Sequence, residues 1–151
     1  MRVFDTLADL AACAGQEVAV SDWHTISQTQ IDQFAEATGD HQWIHVDPER
    51  AKAGPFGTPI AHGFLTLSLL PRLLESCLTI TQSGMGINYG LNRVRFVSPV
   101  PVNSRLRGRF VLHTAEPIDN GGMQMTWSAT IEREGSDKPV CVAEFLARRY
   151  P

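Results

Sequence analysis

From Met123 to Glu132 the sequence alternates without a break, with Met123, Met125, Trp127, Ala129 and Ile131 on one side and Gln124, Thr126, Ser128, Thr130 and Glu132 on the other. Successive side chains of a strand point to opposite faces, so this segment is a strand with one dry and one wet face, and the dry face must be covered. Leu106, Phe110 and Leu112 alternate in the same way with Arg105, Arg107, Arg109 and His113, and Gly108 takes the remaining inward position. Asn120-Gly121 and Gly135-Ser136-Asp137 supply turns, and Val140 to Arg149 reads as a further strand. The three strands are predicted to form an antiparallel meander.

The cover is in the other half of the chain. From Ala61 to about Cys77, the residues Phe64, Leu65, Leu67, Leu69, Leu70, Leu73 and Leu74 are apolar nearly all round, the pattern of a helix buried on most sides. Pro71 removes a hydrogen bond from that helix and clashes with the preceding turn, so a kink or two helical pieces are predicted. Ser27 with Gln30 three residues on predicts a capping box for a helix running to about Thr38 and ended by Gly39. Asp47-Pro48-Glu49 begins a second, short helix that Gly54-Pro55 stops. The strand from Ile87 to Val97 changes phase beside Gly90, which predicts a bulge. The first half thus reads as mainly helical and the second, after Ser83, as mainly strands: an α+β arrangement of one antiparallel sheet beside one long helix.

At 151 residues the chain suits one domain spanning 1-151. A net charge of −3 supplies no basic field for nucleic acid or anionic lipid. Cys13, Cys77 and Cys141 are odd in number and far apart, which predicts neither a disulfide frame nor a zinc site and suits a reducing, cytoplasmic setting. Asp5 and Asp9 interrupt the amino-terminal segment before an export signal develops. The apolar stretch from Phe64 to Leu70 is well short of the ~18 residues that suggest a membrane span.

Chemistry-bearing residues concentrate in Ala37-Thr-Gly-Asp-His-Gln-Trp-Ile-His-Val-Asp-Pro-Glu-Arg50. Asp40 and His45 lie on a short connection between two helices, where a carboxylate and an imidazole can converge on one water or one substrate carbon as acid and base. The competing reading makes Asp40 a turn residue and His45 a hydrogen-bonded structural group. Gly63, at the first turn of the long helix, offers a backbone N–H that can polarise a thioester carbonyl, or else serves tight packing. His62 carries the same ambiguity. His24, His41 and His113 have no partner at metal-ligand spacing, so no metal is expected.

The run Phe34-Ala-Glu-Ala-Thr-Gly-Asp-His-Gln-Trp-Ile-His45, followed by Gly54-Pro-Phe-Gly-Thr-Pro-Ile-Ala-His-Gly63, closely resembles the MaoC-like, (R)-specific enoyl-CoA hydratase family. Tyr89-Gly-Leu-Asn-Arg-Val-Arg-Phe96 and Pro99-Val-Pro-Val102 resemble that family's strand motif after the central helix. The resemblance implies a hotdog fold, in which an antiparallel sheet wraps a long helix, and a homodimer with active sites near the subunit interface. It implies reversible addition of water to a trans-2-enoyl thioester, giving the (R)-3-hydroxyacyl product, with an acyl-CoA substrate and no cofactor. By the same resemblance Asp40 and His45 are the catalytic pair and Gly63 the oxyanion hole. Gln42, His62, Asn88 and Tyr89 are candidate substrate contacts. The family commonly has Asn at the position of Gln42, Pro at that of Trp43 and Gly at that of Asn103. A hotdog thioesterase and a non-catalytic acyl-CoA binding module are the competing readings.

Overall fold

The structure, a computed structural model, describes residues 1–151. In chain order its elements are β1 (Arg2–Phe4), α1 (Leu7–Ala11), β2 (Gln16–Val20), β3 (His24–Thr25), α2 (Gln28–Thr38), α3 (Trp43–Val46), α4 (Pro48–Lys52), α5 (Gly63–Ser68), α6 (Leu70–Glu75), β4 (Leu78–Ile80), β5 (Met85–Phe96), β6 (Arg105–Pro117), β7 (Met123–Arg133) and β8 (Cys141–Tyr150).

The predicted meander is present: β6, β7 and β8 are consecutive antiparallel neighbours in a six-stranded sheet of order β2-β6-β7-β8-β5, with β3 also on β6. Burial alternates along all three as the sequence requires. Inward residues line up in rows across the three strands. Phe110 faces Ala129, which faces Ala143, and Trp127 stands between Leu112 and Phe145. Gly108 is part of this fit, because a Cβ there would lie 2.8 Å from the buried Phe110 ring. Against this face lie α5 on β8 and α6 on β6, supplying Leu65, Leu69, Leu70, Leu73 and Leu74 to one contiguous core. Burying each such side chain is worth about 1.5–3 kcal/mol.

Pro71 divides the long helix as predicted. It occupies the first turn of α6, where the missing N–H costs nothing, and Leu69 links the two pieces in a right-handed helical conformation. This is the hotdog arrangement, with the split helix packed against the antiparallel sheet through β6 and β8.

The first half is mainly helical as predicted, and it also carries four short strands that the pattern did not show. β1 pairs in parallel with β4, and β2 joins the main sheet beside β6. The register of β2 shifts between Glu17 and Ala19, so Val18 and Ala19 are buried side by side and the period of two never develops. At Ser27 only half of the predicted capping box forms: its side chain accepts from the Gln30 N–H, while the Gln30 side chain turns to His24. A complete box stands instead at Thr6 and Asp9 on α1. β5 has two register shifts, one between Asn88 and Gly90 and one between Leu91 and Arg93, where a single bulge is predicted.

β5 ends the sheet order and is exposed along almost its whole length, with Met85, Ile87, Tyr89, Leu91 and Phe96 all open to solvent. No helix is long and apolar enough to cross a membrane.

Candidate active site

α2 ends at Gly39, whose left-handed φ of 80° turns the chain while its N–H closes on the Ala35 carbonyl at 2.8 Å. Asp40 follows at the surface, and its carboxylate accepts from the Gln42 N–H at 3.3 Å. The next four residues form α3, a single turn that carries His45 inward to 6% exposure. A loop position for His45 is thereby corrected to a helical one. α3 has no side-chain cap, which removes the usual sequence signal for a helix start.

Three contacts fix His45. The Gln28 side-chain amide donates to its main-chain oxygen at 2.8 Å. Its Nδ1 lies 2.6 Å from the Ile60 carbonyl. Its ring stacks on His62, with centroids 3.8 Å apart and planes 24° from parallel. A carbonyl only accepts, so Nδ1 carries the proton and the second nitrogen, Nε2, is left with a lone pair. Burial pushes the His45 pKa below its ordinary 6.5. The Ile60 carbonyl opposes this, His62 adds to it, and Asp40 pulls back upward.

The segment Pro59–Ala61 ties the site together. Ile60 donates to Ile44, Ala61 to Val100 and, from the other side, Val102 to Pro59, at 3.0, 2.8 and 2.9 Å. This brings the residues before α5 alongside those of α3. One donor atom from each of Asp40, His45 and His62 lies within 4.8 Å of the other two. Such a group resembles a metal site in composition. However, two stacked rings direct their lone pairs in nearly parallel planes, so both cannot aim at one ion about 2.0–2.1 Å from each nitrogen.

His45, Gly63, Thr66, Phe56, Phe96 and Val140 are among the residues lining a cleft of about 320 Å³. Gly63 begins α5, and its N–H has no hydrogen-bond partner in the protein. The glycine also has a packing reason, since a Cβ would lie 2.8 Å from the Phe96 ring. Asn88 and Tyr89 are placed elsewhere, on β5, where they line a separate cleft of about 340 Å³ with Leu67, Pro71, Leu91 and Phe145. Arg148 lies over the Tyr89 ring at 3.4 Å. Gln42 is exposed and meets Asp40 through its main-chain N–H. His62 is buried to 2% exposure, and its Nε2 lies 2.9 Å from the Asp40 main-chain oxygen. Gln28 is a residue that motif reading missed. Only its position one turn from Asp32, to which it also donates, marks it in the sequence.

The departures at Trp43 and Asn103 are absorbed locally. The Trp43 ring is covered by Arg50 at 4.5 Å and approached closely by Gly54. Asn103 adopts a left-handed φ of 67°.

The MaoC like domain model matches residues 9–132, and the chain belongs to this family of hotdog proteins. It is 60% identical over 148 residues to 3-hydroxyacyl-thioester dehydratase Z of Mycobacterium tuberculosis, covering 98% of each chain. It is also 49% identical over 143 residues to nodulation protein N of Rhizobium leguminosarum bv. viciae, covering 93% of this chain and 89% of that one. Among solved structures, the (R)-hydratase from A. caviae shares the fold with a TM-score of 0.71 at 24% identity, covering 91% of this chain and 96% of the other.

Proposed function

We propose that this protein is an (R)-specific enoyl-CoA hydratase, equally a (3R)-hydroxyacyl-CoA dehydratase. The observation that carries the reading is the meeting of the Asp40 carboxylate and the His45 imidazole within 4.8 Å, with His45 opening on the cleft that Gly63 also lines. The 60% identity to a 3-hydroxyacyl-thioester dehydratase supports the substrate class.

In hydration, a water held between Asp40 and His45 attacks C3 of the trans-2-enoyl thioester. Its proton passes to the Nε2 lone pair of His45, which the Nδ1–H to Ile60 bond leaves as the only acceptor on the ring. Electron density moves to the thioester oxygen, where the Gly63 N–H stabilises the enolate. The imidazolium then returns a proton to C2 from the same face. Hydroxyl and hydrogen are added syn, and the enzyme is restored. Asp40 orients the water and stabilises the transient imidazolium. Dehydration is the reverse path.

The working unit in this reading is a homodimer joined along β5, whose exposed apolar residues and unpaired strand edge suit a second copy. One hotdog unit fills the chain, and the setting is cytoplasmic. Arg105, Arg107 and Arg109 are paired with Glu134, Glu132 and Glu17, whereas Arg93 and Arg95 form no ion pair. The latter two are the better candidates to meet CoA phosphates.

Incubation with crotonyl-CoA tests the reading. Loss of enoyl absorbance with formation of (R)-3-hydroxybutyryl-CoA and no free thiol is expected. Thiol release establishes the thioesterase instead, and tight binding without turnover establishes the binding module.

A further inference from the structure

His62 stands out because its burial contradicts a role as a substrate contact, while its bonding is unlike that of an ordinary core residue. It is 2% exposed, between the Phe34 ring at 4.9 Å and the His45 ring at 3.8 Å. Its Nε2–H donates to the main-chain oxygen of Asp40, a residue 22 positions earlier, at 2.9 Å. That bond consumes the ring proton and makes Nδ1 the acceptor, yet Nδ1 is buried without a protein partner. One helical turn on, the buried Thr66 hydroxyl is likewise without one. A buried acceptor left unpaired destabilises a fold. Packing alone therefore favours a phenyl ring in this slot, and the gain from the imidazole lies in its Nε2–H.

We propose that His62 is a positioning residue that holds both members of the Asp40 and His45 pair. Its ring fixes the plane of the His45 imidazole by stacking, and its Nε2–H fixes the backbone from which the Asp40 carboxylate projects. Asp40 depends on such an anchor because its own surroundings are exposed: its carboxylate has only the Gln42 N–H, and its N–H only a 3.4 Å contact to the Thr38 hydroxyl. The His62 bond is the one contact that ties its backbone to the buried side of the site. This inference rests on the hydratase reading of the same pair.

The test compares His62→Phe with His62→Gln in crotonyl-CoA hydration. The Phe variant keeps a stacking ring and loses the donor. The Gln variant places an amide N–H near the position of Nε2. A displacement of about 1 Å in a catalytic group costs on the order of 10²-fold in rate. His62→Phe is therefore expected to lower kcat by about that factor, with KM within about threefold of the parent and Tm equal or higher. His62→Gln is expected to recover most of kcat. The inference is overturned if His62→Phe retains parental kcat, if KM rises with kcat unchanged, as for a direct substrate contact, or if Tm falls while turnover per folded molecule is kept. Should the Phe variant not fold, His62→Asn, whose amide is too short to reach Asp40, takes its place, and equal kcat in Asn and Gln overturns the inference. Parental protein without hydratase activity refutes the reading of the pair itself, a result separable from all of these.

Discussion

The Nδ1–H of His45 donates to the carbonyl oxygen of Ile60 at 2.6 Å, across fifteen residues of sequence. In the proposed reaction this bond decides which nitrogen accepts the proton, because it leaves the Nε2 lone pair as the only site on the ring able to take one. The bond exists because Ile60 also pairs its N–H with Ile44, so the segment before α5 and the turn of α3 are held side by side.

The pH profile of kcat/KM follows from this environment. Burial lowers the His45 pKa from 6.5, and the proposed reaction needs its imidazole in the neutral form. The acid limb is expected to have its midpoint below 6.5. In Asp40→Asn, whatever activity is left should show that limb moved to still lower pH, because the carboxylate raises the His45 pKa. A limb at or above 6.5 in the parent protein contradicts this environment.

The same shift has a consequence for stability. The unfolded chain takes up a proton on this histidine near pH 6.5, before the folded chain does. The stability that His45 contributes is complete above about pH 6.5 and is lost as the pH falls through the folded value. Thermal unfolding between pH 7.5 and 5 is expected to show a falling Tm, with a shallower fall in His45→Gln. Equal slopes in the two proteins would remove His45 as the cause.

The packing of the sheet is tested at Gly108. A methyl group there meets the Phe110 ring at 2.8 Å and Leu73 at 3.4 Å, with both residues buried. Overpacking of this kind costs about 1–3 kcal/mol. Gly108→Ala is expected to lower Tm by several degrees without changing the hydratase KM.

The exposed strand β5 gives a further expectation. Ile87 and Leu91 lie on this free edge at 42% and 47% exposure. Replacing both with Glu places like charges where two edges are to meet, and sedimentation is expected to report a monomer with reduced turnover. A parental protein that sediments as a monomer at full activity overturns the dimer.

Strict alternation from Leu106 to Leu112 and from Met123 to Ile131 made the meander legible, and a single proline located the break between α5 and α6. Both signals are local, one a period of two and the other a single residue that cannot donate a backbone hydrogen bond. β2 escaped because its bulge buries two neighbours, and α3 because one turn without a cap leaves no pattern. At the candidate site, the motif pointed to Asp40, His45 and Gly63, which the fold brings close together, but spacing says nothing about direction. Only the fold separates the buried His62 from the cleft and places Asn88 and Tyr89 beside a different one. Gln28 reaches His45 through a tertiary hydrogen bond that no spacing records.

The central claim, that Asp40 and His45 act together on one water, is tested most directly by the rate of crotonyl-CoA hydration in Asp40→Asn and His45→Gln. Removing a positioned acid or base costs roughly 10²- to 10⁴-fold. Each variant is expected to fall by that amount with folding retained, and the double variant by little more than the worse single one, because the two groups serve the same proton transfer. Near-parental turnover in both single variants would contradict the account.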